Sequence, residues 1–220
     1  MPVHVITRCC TLAVVGITLI GCASTGPMPY RQLPSSGYLR PHDGSRGGRM
    51  PYAYHSDVDW THYRAAIVEP VAIYRGPDAQ FENVPEQDKR MLADVMQQEF
   101  GNAIARRWRP TTSADRETLR VRITLTGAKA SKRVLGTIMK VDLGGGSYNA
   151  VQAARGKEGA FSGSVSYAVE IFDAQSDRLL AAYVEKQYPS AMNIKASLGA
   201  YDAAKAGIRK GAEQLVEGLE

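Results

Sequence analysis

Four side chains that could bind a metal ion lie in the segment HSDVDWTH, namely His55, Asp57, Asp59 and His62. Imidazole and carboxylate groups are ligands for zinc, copper and manganese, and an extended chain would place His55, Asp57 and Asp59 on one side. The segment therefore predicts, as one hypothesis, a metal-binding protein or a metal-dependent enzyme. The alternative is a polar loop before a strand, in which the aspartates cap turns and the histidines are hydrated.

The sequence contains no recognised motif for nucleophilic or phosphate chemistry. A Gly-x-Ser-x-Gly nucleophile elbow is absent, and the glycine run at 144–147 is not followed by Gly-Lys-Ser/Thr. We therefore expect a non-enzymatic protein without a cofactor.

The N-terminus has the pattern of a secretion signal that ends in a cysteine. Arg8 precedes an uncharged run from Cys9 to Gly21, which is too short to span a bilayer as a helix. Leu19, Ile20, Gly21 and Cys22 resemble the lipobox of bacterial lipoprotein precursors. This resemblance implies cleavage after Gly21 and attachment of diacylglycerol and an amide-linked acyl chain, such as palmitate, to Cys22. Several acyl chains are sufficient for stable membrane attachment.

The residues after Cys22 suggest which membrane would carry the anchor. In lipoproteins of Gram-negative bacteria, an aspartate directly after the cysteine favours the inner membrane, whereas this chain has Ala23 and Ser24. The resemblance thus implies the periplasmic face of the outer membrane. The cysteines are Cys9, Cys10 and Cys22, so cleavage would leave one thiol and no intramolecular disulfide.

Composition limits the partners. The chain has 220 residues and a formal net charge of +5, with basic residues scattered rather than clustered. Nothing in this distribution indicates nucleic-acid binding. The length suits one domain. We expect a signal peptide over 1–21 and an acylated N-terminus and flexible tether over 22–55. Within the tether a short arm would pack through Tyr38 and Leu39. One periplasmic domain would follow over 56–220.

Hydrophobic periodicity predicts the main elements of that domain. Residues 65–73 favour a strand that Pro70 disturbs, and residues 85–110 have the period of an amphipathic helix. Strict alternation over 118–126 predicts a half-buried strand, and two apolar runs on either side of 173–177 predict a hairpin. Residues 194–219 predict a second amphipathic helix, and residues 129–157 have no single period.

These elements predict an α+β fold. We expect a two-layer sandwich in which two long helices cover one face of a mostly antiparallel sheet of about four strands. The other face of the sheet would be open and available to a partner.

The segments SSGYLR and DWTHYRAAIVEPVAIY, the helix after them and VSYAVEIFDAQSDRLLAAYVEKQY together resemble a bacterial lipoprotein family known as domain of unknown function 3313. The turn that joins its paired strands is kept here as Asp173, Ala174 and Ser176. The family has no established activity, so the resemblance implies no catalytic residue.

The sequence thus predicts a lipid-anchored binding module of the cell envelope. Its partner would be an envelope protein or peptidoglycan, met through the open sheet face and residues 129–157.

Overall fold

A computed structural model describes residues 26–42, 48–131, 163–189 and 199–219 of the chain. Within them lie two helices, α1 (Glu86–Ala105) and α2 (Asp202–Glu217), and a 3-10 turn at Trp60–His62. The strands are β1 (Arg40–Pro41), β2 (Tyr52–His55), β3 (Ala65–Val68), β4 (Ala72–Ile73), β5 (Arg109–Pro110), β6 (Thr118–Lys129), β7 (Ser164–Asp173) and β8 (Leu179–Gln187).

The strands form one mixed sheet in the order β1-β2-β8-β7-β6-β3-β5, with β4 also paired to β6. Three of the described strand pairs are parallel, namely β3 with β5, β3 with β6 and β4 with β6. The other pairs are antiparallel. The prediction of a mostly antiparallel sheet of about four strands was therefore wrong. Helix α1 connects β3 to β6, and a helical crossover of this kind returns the chain in the same direction.

The long elements follow their periodicity. Helix α1 begins directly after Pro85, whose fixed φ suits a helix start and whose missing N–H would have no partner there. The predicted first strand is split into β3 and β4 around Pro70, since proline cannot donate to a ladder. Strand β6 and the hairpin of β7 and β8 are confirmed.

The main core lies between the sheet and the two helices. Leu92, Met96 and Phe100 of α1 are 0% exposed and face the inward side of β6, where Ile123 and Leu125 are also fully buried. Helix α2 packs beside α1 with Ile208 and Leu215 in the same cluster. Neither helix in the described ranges is long and apolar enough to cross a membrane.

A second core covers the opposite face of the sheet. Tyr30, Leu33 and Leu39, from the segment before β2, pack with Phe172 of β7 and Val184 of β8. We call residues 26–42 the N-terminal strap. This face of the sheet is therefore covered, which revises the expectation of an open interaction face.

The strap also changes the expected boundary of the folded unit. Residues 22–55 were expected to be a flexible tether, but within the described part Tyr30 is 0% exposed and β2 pairs with β8 along its whole length. The predicted short arm is only half correct, because Leu39 is 5% exposed whereas Tyr38 is 52% exposed. Apolar side chains are too few in this stretch to order it alone, and the sheet supplies the surface they need.

Candidate functional site

The predicted metal ligands lie in the connection between β2 and β3. His55 ends β2, and Asp57 is exposed in the following loop. Asp59 caps the 3-10 turn, where its Oδ1 accepts hydrogen bonds from the Thr61 N–H at 3.0 Å and the Thr61 hydroxyl at 2.6 Å. These two bonds lower the pKa of Asp59. His62 stacks edge-on against Tyr63, with ring centroids 5.4 Å apart.

The geometry does not gather these four residues around one point. No group of three or more His, Cys, Asp and Glu side chains in the described ranges is arranged to hold a metal ion. Asp59 caps the 3-10 turn, which agrees with the alternative interpretation of this segment as a polar loop before a strand.

His55 instead lies beside His42, which follows β1. Their ring centroids are 6.5 Å apart. Partial burial and then the neighbouring His42 imidazole lower the pKa of His55, because both disfavour a second positive charge. An imidazole ring can donate and accept hydrogen bonds, so the pair offers polar groups at this point of the sheet edge.

Two tyrosines lie on the same pair of strands. Tyr38 precedes β1 and Tyr54 belongs to β2, and their rings are tilted against each other with centroids 5.3 Å apart. Tyr38 is the large hydrophobic residue most open to solvent in the described ranges. We call Tyr38, His42, Tyr54 and His55 the aromatic edge. Rings that are amphipathic and rigid suit the centre of a binding surface.

Both outer strands of the described sheet are unsuited to strand addition. At one edge β1 is Arg40–Pro41, and at the other β5 is Arg109–Pro110. Each strand is two residues long and half proline, which leaves few backbone donors for another strand. A partner would therefore meet side chains rather than extend the sheet.

A carboxylate is buried beneath the strap. Glu170 of β7 is 1% exposed, and its Oε1 accepts a hydrogen bond from the Ser35 N–H at 2.7 Å. Its Oε2 has no hydrogen-bond partner, while its charge attracts the guanidinium of Arg122. The hydrogen bond from the Ser35 N–H fixes the strap to the sheet, because the buried Glu170 carboxylate needs a hydrogen-bond donor.

Next to this carboxylate, two arginines of β6 form a charged cluster. Glu69 accepts hydrogen bonds from Arg120 at 2.5 Å and from Arg122 at 2.7 Å, and Arg120 also pairs with Asp177. Both guanidiniums lie over the ring of Phe172, at 4.4 and 5.5 Å from its centroid. Desolvation would raise the pKa of Glu69, but the bonds from the two arginines outweigh it and lower that pKa. Each charged side chain of this cluster has a partner of opposite charge, so we assign the cluster a structural role.

On the helix side, a buried polar network joins the sheet to α2. The Tyr167 hydroxyl donates to Glu185 Oε2 at 2.8 Å, and Gln187 Nε2 donates to Glu185 Oε1 at 2.9 Å and to Gln214 Oε1 at 2.8 Å. Glu185 is 0% exposed. A side chain at Gly211 of α2 would collide with the Tyr167 hydroxyl, so the glycine allows the helix to approach. The network is enclosed and positions α2.

A shallow polar pocket lies where β6 and β8 end and β7 begins. It is lined by Gln80, Glu82, Ala128, Lys129, Ser164, Ser166 and Lys186. The two serines are 2% and 3% exposed, respectively, so their hydroxyls form the floor, and the two lysines supply positive charge. An arrangement of ammonium and hydroxyl donors can bind an anion.

Sequence reasoning found part of these surfaces. It singled out His55 but paired it with Asp57, Asp59 and His62 rather than with His42, and it expected Tyr38 to be packed. The alternation of YAYH at 52–55 is a strand signal that could have placed Tyr54 and His55 at a sheet edge. Cys22 with its motif Leu19 to Gly21 lies outside the described residues, as do residues 132–157 of the aperiodic segment.

Comparison with known proteins gives a family and a set of distant structures. A family model described as protein of unknown function, DUF3313, matches residues 29–215. No curated protein matches the chain significantly.

Three solved structures illustrate the distant likeness. The PelC dodecamer from Paraburkholderia phytofirmans is 8% identical, with a TM-score of 0.38, over 74% of this chain and 94% of that one. Hypothetical protein CT253 from Chlamydia trachomatis is 12% identical, with a TM-score of 0.37, over 71% of this chain and 97% of that one. A putative neuraminyllactose-binding hemagglutinin homolog from Helicobacter pylori is 8% identical, with a TM-score of 0.34, over 82% and 89%. At these TM-scores the likeness carries no functional assignment.

Proposed function

This chain belongs to the DUF3313 family of proteins of unknown function, and on that premise we propose that it is a lipid-anchored binding module of the bacterial cell envelope. In this proposal Cys22 carries the acyl chains, the domain lies at the periplasmic face of the outer membrane, and the aromatic edge binds an envelope partner. No reaction is assigned to it.

The Leu19-Ile20-Gly21-Cys22 motif supports the anchor. Two or more acyl chains on one residue hold a domain on a bilayer without any membrane-spanning helix.

The exposed ring of Tyr38, held by the partly buried Tyr54, is the observation that carries the binding assignment. A tyrosine that is 52% exposed and already held by a second ring loses little conformational freedom when a partner covers it. The imidazoles of His42 and His55 add hydrogen-bonding groups beside it. Rings of this kind stack equally well on protein side chains and on the apolar faces of sugars, so the partner is an envelope protein or peptidoglycan.

Membrane fractionation tests the anchor. We expect the wild-type protein in the outer-membrane fraction, with a mass that includes the acyl groups on an N-terminal Cys22. The Cys22→Ala variant should lack these groups and leave that fraction. An unchanged membrane fraction for Cys22→Ala would refute the anchor.

Site-specific photocrosslinking in cells tests the binding surface. A photoreactive residue at position 38 should capture a defined envelope protein, or muropeptides released by digestion of peptidoglycan. The matched control is the same residue at position 213, which is exposed on α2 on the other side of the sheet. Equal products from both positions, or none from position 38, would contradict the assignment of the aromatic edge.

A further inference from the structure

The described fold begins very close to the proposed anchor. Gly26 is four residues after Cys22, and four residues reach at most about 14 Å even when fully extended. From Gly26 onward the chain is held, because the Gly26 carbonyl accepts a hydrogen bond from Gln80 Nε2 at 2.9 Å and Pro27 is buried. If acyl chains on Cys22 enter the bilayer, the surface around Gln80 is held within about 14 Å of the anchored residue and so near the headgroup layer.

Gln80 also anchors the next turn of the strap. The Tyr30 hydroxyl donates to Gln80 Oε1 at 3.2 Å, and Tyr30 is fully buried. The connection from Gly26 to Tyr30 is therefore fixed at both ends, and the domain cannot move away from the membrane by unrolling a tether unless the strap itself detaches.

Gln80 is at the same time part of the wall of the shallow polar pocket. Lys129 and Lys186 line this pocket, and the floor carries the hydroxyls of Ser164 and Ser166. The Glu82 carboxylate on the rim is the one acidic lining group, so the lining side chains have a net positive charge.

We propose that this pocket binds the phosphate of an anionic phospholipid headgroup in the membrane that carries the anchor. The inference rests on the proposed acylation of Cys22, which places the pocket at the membrane surface. Ammonium groups and hydroxyl groups are donors that a phosphate accepts from, and each lysine near an anionic surface favours binding about five-fold. Headgroup binding would fix the orientation of the domain as well as its distance from the bilayer.

The test uses Cys22 as a chemical anchor. The chain from residue 22 onward has this one cysteine, so its thiol can be coupled to a maleimide lipid in vesicles. Vesicles of phosphatidylcholine alone are compared with vesicles of equal parts phosphatidylcholine and phosphatidylglycerol. Lysine acetylation by a water-soluble ester is then followed residue by residue with mass spectrometry.

We expect Lys129 and Lys186 to react about five-fold more slowly on the anionic vesicles. Lys210, exposed on α2 across the sheet, should react at the same rate on both. Equal rates for Lys129 and Lys186 on the two vesicles, or equal protection of Lys210, would overturn the proposal. A third arm adds glycerol phosphate to uncoupled protein. Equal protection there would assign the pocket to a soluble anion and also overturn the membrane assignment.

A pair of charge-matched variants gives a second readout. Lys129→Gln/Lys186→Gln should weaken partitioning of the uncoupled chain onto anionic vesicles by about 25-fold. Lys205→Gln/Lys210→Gln removes the same charge from α2 and should weaken it far less; an equal loss would refute a specific pocket. The maleimide supplies the anchor in the coupled experiment, so its outcome is independent of whether cells acylate Cys22, which fractionation decides separately.

Discussion

Replacing Tyr30 by alanine distinguishes a folded strap from a flexible tether. Tyr30 is 0% exposed, lies 5.2 Å from the ring of Tyr74 between centroids, and donates to Gln80. Truncation of a fully buried aromatic side chain costs about 3–5 kcal/mol of unfolding free energy. For a domain of this size each kcal/mol lowers Tm by about 2–4 °C, so we expect Tyr30→Ala to lower Tm by about 6–20 °C.

Two variants separate the parts of this effect. Tyr30→Phe keeps the ring and removes the hydroxyl, which should cost only about 0.5–1.5 kcal/mol. Tyr38→Ala removes a tyrosine from the same segment at a position that is 52% exposed, and should change the unfolding free energy by less than about 1 kcal/mol. Urea unfolding followed by far-ultraviolet circular dichroism measures all three. If Tyr30→Ala were as stable as Tyr38→Ala, the strap would not be part of the folded domain and the argument from its position would fail.

Three further predictions concern the helices, the charged cluster and the anchor. Gly211→Ala should destabilise the protein by about 1–3 kcal/mol, because the new methyl group displaces the Tyr167 hydroxyl. Gly101→Ala on α1, where the methyl group meets open space, should stabilise it by about 0.5–1 kcal/mol. Chemical unfolding measures both variants, and equal effects would contradict the close approach of α2 to the sheet. Glu69→Gln should destabilise the protein by about 1–3 kcal/mol at pH 7. The pKa of Glu69 is lowered in the folded state, so this stabilisation is present above its unfolded pKa of about 4.3 and is lost as the pH falls through the folded value. The difference in unfolding free energy between Glu69→Gln and wild type should therefore shrink at pH 3. A constant difference would show that the charge is not responsible. Cys22→Ala should move the protein out of the membrane fraction, as mass spectrometry and fractionation will show.

Periodicity predicted the elements that are long enough to show it. Helix α1, strand β6 and the β7–β8 hairpin each repeat apolar residues over two or more turns or alternations, so local sequence was enough. β1 and β5 have two residues each, and no period can be read from two residues. The direction of pairing was missed for a different reason. The order strand, helix, strand from β3 to β6 is typical of a parallel crossover, which the prediction of a mostly antiparallel sheet left out.

The strap was missed because its order depends on a surface far away in sequence. Tyr30, Leu33 and Leu39 are sparse among glycine, proline and serine, which is typical of a linker. They are buried because the face of β7 and β8 that points away from the helices carries Ala168, Phe172 and Val184. The alternation in TLRVRITLT likewise predicted one wet face, yet Thr124 and Thr126 are 5% and 0% exposed beneath this second layer.

The candidate site was predicted only in part for a related reason. Residues His55 to His62 are close in sequence and have matching chemistry. Within that distance, however, the chain leaves β2 and passes through a 3-10 turn that Asp59 caps. The partner that His55 does meet, His42, directly follows β1. Contacts between strands of this kind depend on register, which this sequence encodes too weakly to read.

If Cys22 carries the proposed anchor, the position of the strap constrains how the domain binds a partner. The strap carries Gly26 at one end, which leads to Cys22, and Tyr38 near the other, which belongs to the aromatic edge. Between them Tyr30 and Leu33 are buried and the Ser35 N–H is bonded to Glu170. A pulling force on the aromatic edge would therefore act on the contacts between the strap and the sheet before it acted on the proposed lipid anchor. Ordering such a segment costs about 1–2 kcal/mol per residue in backbone entropy, and its buried side chains must offset that cost. Weakening the strap at Tyr30 should accordingly lengthen the reach of the domain from the membrane as well as lower its stability, and a distance measurement on vesicle-coupled protein would separate the two effects.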